Sequence, residues 1–132
     1  MRRDVLLEKL APWNPLEHGC WAGVLDVPIS KQEIADFLAS DKPRKTDPIV
    51  HNWSKPASRE EHLARIAYLV ESQSMDPIEI DVGVPELGCY VGWIVLDGNH
   101  RLAAAFYRGD KHIKCDLSGS EREMEEVLGI QL

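Results

Sequence analysis

One stretch of the chain shows helical spacing most clearly. Leu63, Ile66, Ala67 and Val70 form an apolar stripe, while Arg59, Glu60 and Glu71 are left for a wet face. Ser58 precedes the stripe and Glu61 follows it by three, the spacing of a capping box in which each residue satisfies an orphan amide of the other. The same Ser-x-x-Glu spacing recurs at Ser30 with Glu33 and at Ser120 with Glu123. It predicts a helix to about residue 38 that buries Ile34, Phe37 and Leu38, and another to about Leu128, closed by Gly129. A fourth helix is predicted from Asn99 to Arg108, closed by Gly109. Apolar and β-branched runs bounded by turn residues predict strands at 23–29, 78–82, 91–96 and 113–117. Residues 82–92 read as a hairpin or loop. Residues 40–57 hold three prolines and no period, so a long loop is expected, and such loops in compact domains often carry function. The sum is an α+β fold: one domain over residues 1–132, a small mixed β-sheet packed with about four helices. Its core spans about 23–117, with a C-terminal helix over about 120–128.

Composition narrows the classes. A chain of 132 residues, 44% hydrophobic and 28% charged, suits a single water-soluble domain with a real core. No apolar run approaches the roughly 20 residues that span a bilayer, and the charged N-terminus lacks a signal peptide's apolar centre. A cytoplasmic protein with no membrane partner is expected. Cys20, Cys89 and Cys115 make neither a disulfide framework nor a CxxC pair, and Cys89 and Cys115 read as buried, inert thiols. His18 and Cys20 have no second pair at zinc-like spacing. The net charge of -7 argues against coating nucleic acid with the whole surface, and the acidic excess lies after residue 66. Between Lys42 and Arg65 basic residues outnumber acidic ones. There Trp53 can stack on a base while Lys55 and Arg59 meet phosphates. The plainer reading is a solvated surface with Trp53 folded onto the core.

The most informative stretch is VLDGNHRLAAA, residues 95–105. A strand ending at Leu96, a turn at Asp97 and Gly98, and a helix from Asn99 leave the helix's first amides unpaired and ready for an anion. Gly98 can adopt a positive φ and lets a ligand approach the backbone. Asn99 can cap the helix or donate to a ligand. Arg101 in the first turn opposes the helix dipole at about 0.3–1 kcal/mol unless something negative compensates. The local alternative pairs Asp97 with Arg101 and leaves Asn99 a mere cap. Arg65, on the edge of the stripe, can reach this site or pair with Glu61 one turn away. Glu79 and Asp81 are metal candidates whose plain reading is the wet face of a strand. His62 and His112 read as surface or boundary positions without a role.

The segment from Asp76 to Leu117, DPIEIDVG followed by WIVLDGNHRLAAAFYRGDKHIKCDL, resembles the ParB/sulfiredoxin-like superfamily. HLARIAYLVES at 62–72 is similar to the preceding helix of that superfamily and GVLDVPIS at 23–30 to its first strand. The resemblance implies that Gly98, Asn99, His100 and Arg101 cradle phosphates, with a nucleoside triphosphate (ATP or CTP) and Mg2+ as the cofactors. In phosphoryl transfer, Arg101 would bind the moving phosphate, His100 would donate to an oxygen or move a proton, and Asp97 would be a base or orient Arg101. Sulfiredoxins carry a catalytic cysteine where Asn99 stands, which argues against sulfinic acid reduction. Partition proteins add a helix-turn-helix region and a dimerisation domain, so a stand-alone core is expected here, with a homodimer left open. Three readings follow: a nucleotide-dependent enzyme (NTPase or phosphotransferase) or switch, a DNA-binding protein or nuclease of phage or plasmid type, and a non-catalytic interaction module.

Overall fold

All three Ser-x-x-Glu sequences start helices in the computed structural model, which describes residues 1–21, 27–52, 54–74 and 76–132. These are α1 (Lys31–Ala39), α2 (Arg59–Ser72) and, after α3 (Asn99–Arg108), α4 (Glu121–Leu128). The capping boxes at Ser30 and Ser58 are reciprocal. At Ser120 only half forms: the hydroxyl accepts from the Glu123 amide and donates to Glu86 at 2.8 Å. Among the described residues no helix is long and apolar enough to cross a membrane.

Among the described residues four strands, β1 (Arg2–Leu6), β2 (Ile78–Asp81), β3 (Val95–Asp97) and β4 (His112–Ser118), form one mixed sheet in the order β1-β4-β2-β3. The inner pair β2–β4 is parallel and both outer pairings are antiparallel. The α+β expectation is met, with three differences. Of the strand expected at 23–29, residues 23–26 lie outside the described residues. Residues 27–29 form no strand, and Ile29 packs among helices instead. The outer position is taken by β1, whose only buried residue is Val5 and whose Arg2 pairs across the edge with Asp116 at 3.1 Å. The core therefore reaches upstream of residue 23, to Val5, Leu7 and Leu10, the last two on a 3-10 segment, Leu7–Trp13. The strand expected at 91–96 shortens to β3, so Asp97 ends the strand and Gly98 alone makes the turn. The expected hairpin narrows to a bridge between Val84 and Cys89 around a 3-10 turn, Pro85–Leu87.

The alanines of α3 explain its place. Leu102 and Ala105 pack on the sheet with Ile78, Ile80 and Cys115, while Ala103 and Ala104 pack on α2 with Ile66 and Leu69. Small side chains let the helix sit close to both layers at once. Its first turn is thereby held rigidly between the end of β3 and the middle of α2.

A candidate anion cleft at the start of α3

Gly98 is required by space as well as by torsion. Its φ is +98°, and a Cβ there would stand 2.5 Å from Ile78 Cγ2 and 2.8 Å from Ile78 Cβ. The helix N-cap is thus a residue without a side chain, and among the described residues no side chain caps the first amides of α3. Asn99 does not take over that duty. Its Oδ1 accepts from Trp93 Nε1 at 2.9 Å and its Nδ2 donates to the Val95 carbonyl at 3.2 Å, tying the helix start to β3. The capping role expected of the Asn99 oxygen is replaced by this brace, while the second Nδ2 hydrogen keeps the donor role and Asn99 lines the cavity.

Arg101 donates from Nη1 to the Pro77 carbonyl at 2.9 Å, and its Nε is buried without a partner. Among the described residues it makes no ion pair; Asp97 is exposed and is not its partner. Arg65 enters from α2 and is only 7% exposed. It donates to the Thr46 carbonyl at 2.7 Å and sits over the Tyr68 ring, rather than pairing with Glu61, which is held in the Ser58 box. Burial and the nearby charge of Arg101 push the Arg65 guanidinium below its ordinary pKa. Asp47 offsets this in part, but among the described residues no carboxylate pairs with Arg65, and a buried cation left so is costly and favours an arriving anion.

The remaining wall is aromatic. His100 Nε2 lies 2.8 Å from His62 Nδ1. Trp21 stacks on both rings, with centroids 4.6 Å from His100 and 5.0 Å from His62. Burial chiefly, then His62 and Arg65, hold His100 down to about 3, and burial also lowers His62. Both imidazoles are therefore neutral near pH 7. His62 thus corrects the surface reading: it is 4% exposed. The signal was present, since 62, 66 and 69 share one helical face. Trp21 had no local signal, because only the fold brings it over α2 and α3.

Two adjoining cavities open on these groups. One, about 300 Å³, is walled by Trp21, His62 and His100; the other, about 100 Å³, by Arg65 and Arg101. They share Ile49, Asp97, Gly98 and His100, so they form one cleft beneath the long loop. That loop is held by Arg65 and by Arg44, which donates to the carbonyls of Leu38 and Lys42 and pairs with Glu71 at 2.7 Å. A larger cavity of about 350 Å³ lies elsewhere around Arg101, but its other guanidinium, Arg108, is already paired with Asp110 at 2.8 Å.

Other expected residues fall outside this cleft. Arg59 is bound by Glu33 at 2.6 Å and by the Val27 and Pro28 carbonyls, so it is not offered to a backbone phosphate. Lys55 is exposed and lines, with Lys45 and Glu61, a further cavity of about 250 Å³ that shares Ile49, Val50, Asn52, Pro56 and Ala57 with the Trp21 lobe and is lined by neither Arg65 nor Arg101, and Trp53 lies outside the described residues. Glu79 stands exposed on β2 between Asp97 and Asp116 in the register, while Asp81 accepts from the Gly83 amide at 2.8 Å. Among the described residues no three His, Cys, Asp or Glu side chains gather as a metal site. Cys115 is buried, but Cys89 is exposed, correcting its buried reading. Burial pushes the Cys20 and Cys115 thiols up to about 12. Searches against family models, curated proteins and solved structures find no match to this chain.

Proposed function

We propose that the cleft binds a phosphate-bearing ligand, with a nucleoside triphosphate (ATP or CTP) as the fullest form, and that the protein is a nucleotide-dependent enzyme or switch. One observation carries this reading: Arg65 and Arg101, from two helices and without carboxylate partners among the described residues, line one cavity at the uncapped start of α3. Main-chain donors and guanidinium groups together suit phosphate oxygens. The neutral, aromatic lobe beside them suits an uncharged, flat portion of the same ligand. The resemblance to the ParB/sulfiredoxin-like superfamily points the same way.

Should phosphoryl transfer occur, most of its rate enhancement comes from positioning and charge stabilisation. Arg101 and Arg65 would hold the transferring group. Asp97, exposed at the rim of the cleft, would accept a proton from the attacking group or help hold a Mg2+ brought in with the nucleotide. The DNA reading is weaker, because its track loses Arg59 to Glu33.

A thermal-shift panel of nucleotides, with and without Mg2+, tests the proposal on wild type and Arg101→Ala. Ligand at about 100 times its Kd adds roughly 2.7 kcal/mol to stability. A shift in wild type that is lost in the variant supports the reading. Equal shifts in both proteins, or none with any nucleotide or inorganic phosphate, would refute it.

A further inference from the structure

The proposed function leaves unused the protons of the imidazole pair against Trp21, His62 buried and His100 half-buried. His62 Nδ1 and His100 Nε2 face each other at 2.8 Å, and their ring planes differ by 16°. Two bare lone pairs at that distance repel, and two N–H groups collide, so one proton lies between the rings.

That single proton couples the tautomers. Each neutral imidazole carries one proton. When His62 donates from Nδ1, its Nε2 is bare, and His100, accepting at Nε2, carries its own proton on Nδ1. When His100 donates from Nε2, its Nδ1 is bare and His62 carries its proton on Nε2. Neither ring changes tautomer without the other.

We propose that His62 and His100 form a proton relay between α2 and the first turn of α3. A proton binds the bare outer nitrogen of one ring. The central N–H bond breaks on that ring and forms on the other, and the second ring's outer nitrogen releases its proton. One proton enters, one leaves, and the pair's charge is unchanged.

The surroundings favour passage over storage. Trp21 covers both rings, and burial disfavours the charged form of each. Glu61 on α2 favours a charged His62, while Arg65 on the same helix opposes a charged His100. Cys20, His51 and Asp97 also line the shared cavity. His100 ends the relay beside Gly98, which makes the chemistry served general acid–base catalysis in the cleft. His62 acts through His100 and is a positioning residue. That the proton reaches a bound phosphate ester rests on the function proposed above; the relay itself does not.

The test is NMR on ligand-free, ¹⁵N-histidine-labelled protein at pH 7.5. The relay requires a ¹⁵N–¹⁵N coupling across the hydrogen bond between His62 Nδ1 and His100 Nε2 in wild type. It further requires that His62→Gln change the tautomer ratio of His100. Absence of the coupling in wild type overturns the proposal, and so does a His100 tautomer ratio unmoved by the substitution. If the variant does not fold, the same tautomer linkage is read in wild type, where both rings must report the same tautomer fraction as temperature is varied; unequal fractions overturn the relay. Failure here leaves phosphate binding untouched, and failure of phosphate or nucleotide to bind leaves the relay untouched.

Discussion

Acidification from pH 7.5 to 5.0 isolates the buried imidazoles. Burial holds His100 at about 3 against an ordinary 6.5. Below pH 6.5 the unfolded chain takes up a proton that the folded chain refuses until about pH 3. The stability this group contributes is therefore full above pH 6.5 and lost progressively as pH falls toward 3. At pH 5.0, about 1.5 pH units below the unfolded value, the loss is about 2 kcal/mol at 1.36 kcal/mol per unit. His62 is shifted in the same direction and adds to the loss. Carboxylates do not confuse the window, because Glu33, held at about 2 by Arg59, gives up stability only as pH falls below 4.5. Urea unfolding of wild type at the two pH values should show a loss of at least about 2 kcal/mol, and His100→Asn should lose about 2 kcal/mol less. Equal losses in the two proteins, or none in wild type, would show that His100 is not buried as a neutral group.

Other consequences are equally direct. Gly98→Ala combines a positive φ with a Cβ driven into Ile78, so it should cost at least about 2 kcal/mol in chemical denaturation. Arg59→Ala should cost about 1–2 kcal/mol by removing the charged hydrogen bonds that join α2 to Glu33. It should also return the Glu33 carboxyl toward 4.5, flattening the pH dependence of stability between pH 4.5 and 2. A colorimetric thiol reagent should find one fast cysteine in the native protein, Cys89, and lose it in Cys89→Ser, since Cys20 and Cys115 are held up near 12.

What the sequence disclosed depended on how local the cause was. Caps and glycine stops are short-range devices, so α3 and α4 begin and end where Asn99, Gly109, Ser120 and Gly129 say they should. The turn at Gly98, and a cation in the first turn of α3 that Asp97 does not pair, belong to the same few residues. β1 was hidden because an edge strand that buries only Val5 shows no alternation, and its register against β4 is a contact between distant parts of the chain. The bracing of Asn99 was not legible because its partners, Trp93 and the Val95 carbonyl, are reached only once β3 folds back against α3. His62 lay on the buried face of α2 by spacing, yet its polarity argued for the surface or boundary, and Arg65 at the edge of the stripe was open to two partners. Their burial becomes reasonable only when the loop carbonyl of Thr46 and the ring of His100 are in place.

An anion should settle at the start of α3. Titrating ¹⁵N-labelled protein with inorganic phosphate and then ATP, while following the backbone amides, locates that place directly. The largest shifts should fall on Asn99, His100 and Arg101 and on the Arg65 side chain, and should vanish in an Arg65→Gln, Arg101→Gln double variant. Largest shifts instead at Arg108 and Lys114, or no saturable shifts anywhere, would contradict the claim that the start of α3 is an anion cleft.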